Sequence, residues 1–113
     1  MKIVIPTDKD KKTIFKRTGQ APFFVIYEDD RFIKAVENQH AKHPHHHHSD
    51  ENQEEEINHH IKDMQNLKGC DVILVKVVGK HMSAALNSIG LKIVKIDSNL
   101  TYVDEVLENF LKQ

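Results

Sequence analysis

The chain is short of thiols, of net charge and of long apolar runs, and each shortage excludes something. Cys70 is the only cysteine in 113 residues, so one copy can form no disulfide and no all-thiolate zinc or iron–sulfur site. A metal centre here must draw on nitrogen, oxygen or backbone ligands. Sixteen Lys and Arg stand against seventeen Asp and Glu, a net charge of -1, which leaves no global field to gather phosphate backbones or anionic membranes. Nucleic acid is therefore not an expected partner. The longest apolar stretch, Val72 to Val78, is interrupted by Lys76 and falls far below the roughly 20 residues of a bilayer span. Met1 to Pro6 is too short for a signal peptide. The expectation is a cytoplasmic protein that does not cross or bind a membrane. Catalytic signatures are missing as well. There is no Gly-rich phosphate loop, and no nucleophile elbow surrounds Ser49, Ser83, Ser88 or Ser98. The first apolar run lacks the carboxylate that a two-metal nuclease needs. Cys70 opens an apolar strand, where a thiol is expected to be inert. The chain is not expected to be an enzyme.

A length of 113 residues suits one domain, residues 1–113. Ile3-Val4-Ile5 is apolar without alternation, which predicts a strand buried on both faces. Thr13 to Arg17 alternates weakly. Phe23 to Tyr27 is strand-like and follows the marked connection Gly19-Gln20-Ala21-Pro22. Asp29-Asp30 supplies turn chemistry before a second strand from Arg31 to Val36, so two or three antiparallel strands are expected in succession. Ile57, Ile61, Met64 and Leu67 recur at helical spacing and Gly69 stands where a helix stops. Val72 to Val78 is the strongest strand. Met82, Ala85, Leu86 and Ile89 then mark a helix closed by Gly90, and Lys92 to Ile96 is a further strand, making a βαβ unit with parallel strands. Thr101 with Asp104 resembles a capping box for a last helix. The fold class is α/β, in two or three layers, with a mixed sheet of antiparallel N-terminal strands followed by βαβ, and a C-terminal helix.

Histidine is in excess. Of nine residues, His40, His43, His45, His46, His47 and His48 crowd one tract and His59 and His60 follow. From Glu37 to Glu56 the chain is polar, with no apolar period to bury, so an exposed and mobile insertion is expected at about residues 38–56. The run is interior, unlike a terminal purification tag. Imidazole is the commonest metal ligand, and such a tract is expected to bind Zn, Ni or Cu, with Cu and Ni favoured over Mn. A solvated linker is the alternative. On a wheel of about 100° per residue, His59 falls opposite the apolar stripe, with Glu55 and Asp63, whereas His60 lies beside Ile57 and Met64.

Ligands of open α/β sheets collect at the carboxyl ends of parallel strands, beside the N–H groups of the next helix. Two loops qualify. One is Thr7-Asp8 after the first strand. The other is Val78-Gly79-Lys80-His81-Met82, where Gly79 permits close backbone approach, Lys80 brings charge and His81 an imidazole. An anionic cluster suits the second loop, although Gly79 could serve only the turn and His81 only local packing.

Three segments together carry a resemblance: Ile3-Val4-Ile5-Pro6-Thr7-Asp8, then Gly19-Gln20-Ala21-Pro22-Phe23-Phe24, then Val78-Gly79-Lys80-His81-Met82 with Ala85-Leu86 and Gly90-Leu91. They resemble the dinitrogenase iron–molybdenum cofactor biosynthesis family, which includes NifX, NafY and the C-terminal domain of NifB. The resemblance spans nearly the whole chain apart from the His-rich insertion. It implies a ribonuclease-H-like fold without nuclease activity and a carrier that binds an iron–sulfur or molybdenum–iron–sulfur cluster or its precursor, with donor or acceptor proteins as partners. It places the family's Gly-x-Ala-Pro-aromatic segment on Gly19, Ala21, Pro22 and Phe23, beside Gln20, and the cluster-side turn on Gly79 to Met82. Many members have a His-Phe pair where this chain has Arg17-Thr18, so a guanidinium stands in place of an imidazole and can steady an anion by charge. His81 is then the candidate ligand. A buffer or sensor for Zn, Ni or Cu acting through His40 to His60 is the competing expectation. Homodimerisation through a sheet edge stays open.

Overall fold

The structure is a computed structural model and describes residues 1–42 and 53–112. Among these, five strands form one open sheet in the order β3, β2, β1, β4, β5. The central strand β1 (Lys2–Thr7) is buried from Ile3 onward, as expected of an apolar run without alternation. It pairs antiparallel with β2 (Phe23–Glu28), from Lys2 opposite Glu28 to Thr7 opposite Phe23, and parallel with β4 (Val72–Val75). β2 turns into β3 (Arg31–Glu37) through Asp29, which takes the left-handed φ of 54° that Asp tolerates better than most residues. β5 (Lys92–Lys95) runs parallel to β4, so the βαβ expectation holds. The weakly alternating Thr13 to Arg17 does not form a strand. It makes only single bridges, Ile14 to Thr7 at the end of β1, Thr13 to Tyr102 and Arg17 to Val77, because its successive residues bond to three different segments and to none of them continuously.

Four helices flank the sheet: α1 (Gln39–Lys42), α2 (Gln53–Asp63), α3 (Lys80–Ser88) and α4 (Val103–Leu111). Val4, Phe24, Ile26, Ile73 and Val75 face Met64 and Leu67, just after α2, and Met82 and Leu86 of α3. Ile3, Ile5, Val25, Val72 and Leu74 face Val103, Val106 and Leu107 of α4 on the other side. The alternation along each strand thus divides the core in two, and the arrangement is three layers. Each fully buried large aliphatic side chain contributes roughly 1.5–3 kcal/mol by leaving water.

Gly69 and Gly90 end their helical segments at φ of 95° and 96°, where a side chain is strained. Between α2 and Gly69 the chain tightens into a 3-10 turn, Gln65–Leu67. The last helix starts one residue later than expected. Its acidic cap is Glu105, whose carboxylate accepts the N–H groups of Tyr102 at 2.9 Å and Thr101 at 3.2 Å, rather than a Thr101–Asp104 box. Residues 38–42 and 53–56 also depart from the expected mobile insertion. Asn38 is fully buried, Gln39–Lys42 are helical and α2 already begins at Gln53. Side-chain hydrogen bonds replace the missing apolar period there. His43, His45, His46, His47 and His48 lie outside the described residues. No described helix is long and apolar enough to cross a membrane.

Candidate functional site

The strand β4 hands over to α3 through Lys76, Val77, Val78 and Gly79. Gly79 caps the helix at φ -73° and ψ 161°, extended backbone that any residue adopts, so the turn itself does not require glycine. With no side chain on the cap, the N–H groups of Lys80, His81 and Met82 have no acceptor within their own helix. The first to bond back is Ser83 N–H, to the Gly79 carbonyl at 2.8 Å. A helix mouth of this kind carries partial positive charge and favours anions.

A second wall comes from the 3-10 turn Thr18–Gln20, preceded by the exposed Arg17. The turn approaches α3 closely: a Cβ built on Gly19 would stand 3.5 Å from Met82 Cε and 3.9 Å from His40 Cδ2. The third wall is α1 with α2. Buried Asn38 fixes it, donating from Nδ2 to the carbonyls of Gly19 at 3.1 Å and Ala21 at 2.8 Å while its Oδ1 accepts the His40 N–H at 3.0 Å. The walls enclose a cavity of about 730 Å³ lined by Arg17, Gly19, Gln20, His40, Ala41, Glu56, His60, Val77, Gly79, Lys80, His81 and Met82.

Three imidazoles meet there. The His40 and His60 rings lie with centroids 4.2 Å apart, and His60 and His81 6.4 Å apart and nearly perpendicular. His60 Nδ1 is 2.9 Å from the Glu56 carbonyl oxygen, and His40 Nδ1 is 3.0 Å from Asp63 Oδ2. Burial, and then the charges of His40 and His81, hold the His60 imidazole below its ordinary range, against the opposing pull of the Glu56 carbonyl. Arg17 and Lys80 add two permanent cations to the rim. The arrangement can attract an anion, offer it backbone N–H groups and present nitrogen donors.

Of the residues singled out from sequence, Arg17, Gly19, Gln20, Gly79, Lys80, His81 and Met82 share this cavity with His40 and His60. Thr7 and Asp8 do not. Thr7 is fully buried and its hydroxyl donates to the Asp8 carbonyl, while Asp8 exchanges backbone bonds with Lys11 and Thr13, so this loop closes on itself. His59 is exposed on α2 and is not among the lining residues. Asp63 and Glu56, which orient the two imidazoles, were not singled out as site residues, although Asp63 lies three residues beyond His60 on α2. Among the described residues no group of three or more His, Cys, Asp or Glu side chains is disposed to hold a single metal ion.

Residues 1–113 match the family described as dinitrogenase iron-molybdenum cofactor. The chain belongs to that family. Its fold is shared by the apo form of the orange protein from Desulfovibrio gigas, with 22% identity, a TM-score of 0.73 and coverage of 98% of this chain and 87% of that one. A NifB-like protein from Thermotoga has 19% identity and a TM-score of 0.64, over 98% and 86% of the two chains. A dinitrogenase-related protein from Methanocaldococcus jannaschii has 13% identity and a TM-score of 0.57, over 99% and 88%. No curated protein matches the chain in sequence. Membership of the dinitrogenase iron-molybdenum cofactor family points to a relationship with that cofactor, its biosynthesis or its precursors. In this member the cavity carries Arg17 at the position where the resemblance leads one to expect an imidazole, while the imidazoles come from α1, α2 and α3.

Proposed function

We propose that the chain is a non-catalytic carrier that binds an iron–sulfur or molybdenum–iron–sulfur cluster, or a precursor of one, as cargo. The observation that carries this reading is the convergence of Arg17, Lys80 and three imidazoles on the N-terminus of α3, in a chain of this family. Clusters rich in sulfide are anions, and they meet here two cations and a helix mouth. The only thiol, Cys70, is buried and packs in the core beneath α2 and α3 rather than on the cavity. The cargo is therefore held by charge and nitrogen instead of thiolate, which suits temporary binding between a donor and an acceptor protein. We also take the fold as ribonuclease-H-like without nuclease activity, since β1 carries no carboxylate from Lys2 to Thr7.

The test is anaerobic reconstitution with tetrathiomolybdate, ferrous iron and sulfide, followed by gel filtration, metal and acid-labile sulfide analysis and a visible spectrum. Iron or molybdenum with stoichiometric sulfide is expected on the wild-type protein, and His81→Ala is expected to lose most of it. Protein that emerges without sulfide overturns the carrier reading. Loading unchanged in His81→Ala removes His81 from the ligand set.

A further inference from the structure

We propose that the face formed by α4 and the edge strand β3 is where two copies of this chain meet, about a two-fold axis that passes beside Tyr27 and Asp104. The face lies across the sheet from the cavity, since α4 covers the opposite side from α2 and α3. The inference therefore does not rest on the carrier reading.

The apolar surface comes first. Phe32, Tyr102 and Leu111 are 52%, 53% and 39% exposed. Scattered singly, such side chains need no explanation, but these border one continuous groove. A hollow of about 390 Å³ lined by Phe32 and Tyr102 shares Tyr27 and Asp104 with a second of about 370 Å³ lined by Leu107 and Leu111. Both tyrosines of the chain thus line it, and Phe32 stands edge to face against Tyr27 with centroids 5.6 Å apart. Aromatic side chains concentrate in this way at contacts between proteins.

Charge selects the occupant. At the Phe32 end, the Asp10 carboxylate is taken up by the Thr13 hydroxyl and the N–H groups of Lys12 and Thr13, and the Lys11 ammonium lies 4.6 Å from the Phe23 ring centroid. Lys12 is the cation left for a partner. At the Leu111 end, Glu108 is bonded to Lys112 at 2.8 Å, and Asp30 is the carboxylate left. Neither Lys12 nor Asp30 is in an ion pair among the described residues. One end offers aromatic rings with a cation, the other aliphatic side chains with an anion. A two-fold axis sets each end on its counterpart, Phe32 and Tyr102 against Leu111 and Lys12 against Asp30, and does so twice. A partner strongly charged in one sign has no such fit. The cost falls on the axis, where Asp104 faces its own copy. Lys34 and the register shift between Ile26 and Tyr27 blunt the free edge of β3, so the copies meet face to face rather than by extending the sheet.

The test is sedimentation velocity on the whole chain from about 1 µM to 1 mM, the range of weak association, in EDTA to remove metal bridged through histidine. Wild-type protein is expected to pass from monomer to dimer. Phe32→Glu is expected to raise the dissociation constant at least about tenfold with an unchanged circular dichroism spectrum. Should it fail to fold, Tyr102→Ser, which keeps a good helix cap, carries the test. Lys12→Glu and Asp30→Lys are each expected to weaken the dimer and the double variant to restore it, whereas Asp104→Asn is expected to tighten it severalfold. Protein that stays monomeric throughout overturns the proposal and leaves the groove to a different partner. A dimer indifferent to Phe32→Glu and Tyr102→Ser overturns it by placing the contact elsewhere, and charge variants without mutual rescue overturn the two-fold register.

Discussion

Thr18 donates twice to one carbonyl: its hydroxyl reaches Val77 O at 2.8 Å and its backbone N–H reaches the same oxygen at 3.0 Å. Thr18 is fully buried, so this double bond fastens the turn that carries Arg17 and Gly19 to the loop that carries Gly79 and Lys80. Thr18→Val keeps the volume and the N–H bond but loses the hydroxyl. It is expected to cost about 1 kcal/mol in urea unfolding and to weaken cluster loading, because the two walls are no longer held in register. Full stability with full loading counts against that coupling.

Asn38 has the larger structural role. Its amide donates to two carbonyls and its oxygen accepts the N–H of His40, the second residue of α1, which lines the cavity. Asn38→Ala leaves those carbonyls buried without this donor, at a cost of about 1–3 kcal/mol. The melting temperature is expected to fall by roughly 5 °C or more, measured by calorimetry. Asn38→Asp is expected to be at least as harmful, since a carboxylate cannot donate.

Arg17 and Lys80 are exposed and act on an anion through solvent. Arg17→Gln and Lys80→Gln are each expected to reduce cluster affinity about fivefold, near 1 kcal/mol, at low ionic strength. The difference from wild type shrinks in 1 M salt, where the screening length is about 3 Å. A salt-independent loss points instead to a specific hydrogen bond.

His60 gives stability a pH dependence. Its folded pKa is depressed by burial and by His40 and His81, whereas in the unfolded chain it titrates near ~6.5. As pH falls below that value the unfolded state takes up the proton first, so the native state loses stability until pH passes the folded pKa, and above ~6.5 the effect is absent. Urea midpoints at pH 7.5 and 5.5 are expected to differ more for wild type than for His60→Phe. Equal differences exclude His60 as the source.

Gly79 separates folding from binding. Its φ of -73° needs no glycine, and nothing among the described residues lies within 4 Å of where a Cβ would stand. Serine is a better helix cap than glycine by a few tenths of a kcal/mol, so Gly79→Ser is expected to leave thermal stability equal or slightly raised while lowering cluster loading through its side chain at the cavity wall. Unchanged loading restricts Gly79 to the turn.

The sheet was legible where one local rule decides. Ile3-Val4-Ile5 has to be buried on both faces, Gly69 and Gly90 have to stop helices, and Gly79-Lys80-His81 has to lie at the mouth of the helix after the strongest strand. What escaped was decided at a distance. Nothing next to His40 in sequence places it at the cavity; it enters because Asn38 bonds across to Gly19 and Ala21, and because Asp63, 23 residues away, takes its Nδ1. Thr7-Asp8 obeyed the same strand-end rule as Gly79-Lys80 and failed it, since the next residues fold back through Asp10, whose carboxylate binds Thr13. The cap expected at Thr101 with Asp104 falls instead on Tyr102, because Glu105 rather than Asp104 reaches back to the N–H groups of Tyr102 and Thr101.

Cys70 lies at the foot of β4 with its thiol pushed up in pKa by burial. Iron–sulfur clusters prefer thiolates to imidazoles. Under the carrier reading proposed above, a cargo held by charge and nitrogen would therefore pass from this chain toward sites with accessible cysteines, which sets the direction of transfer by ligand preference alone.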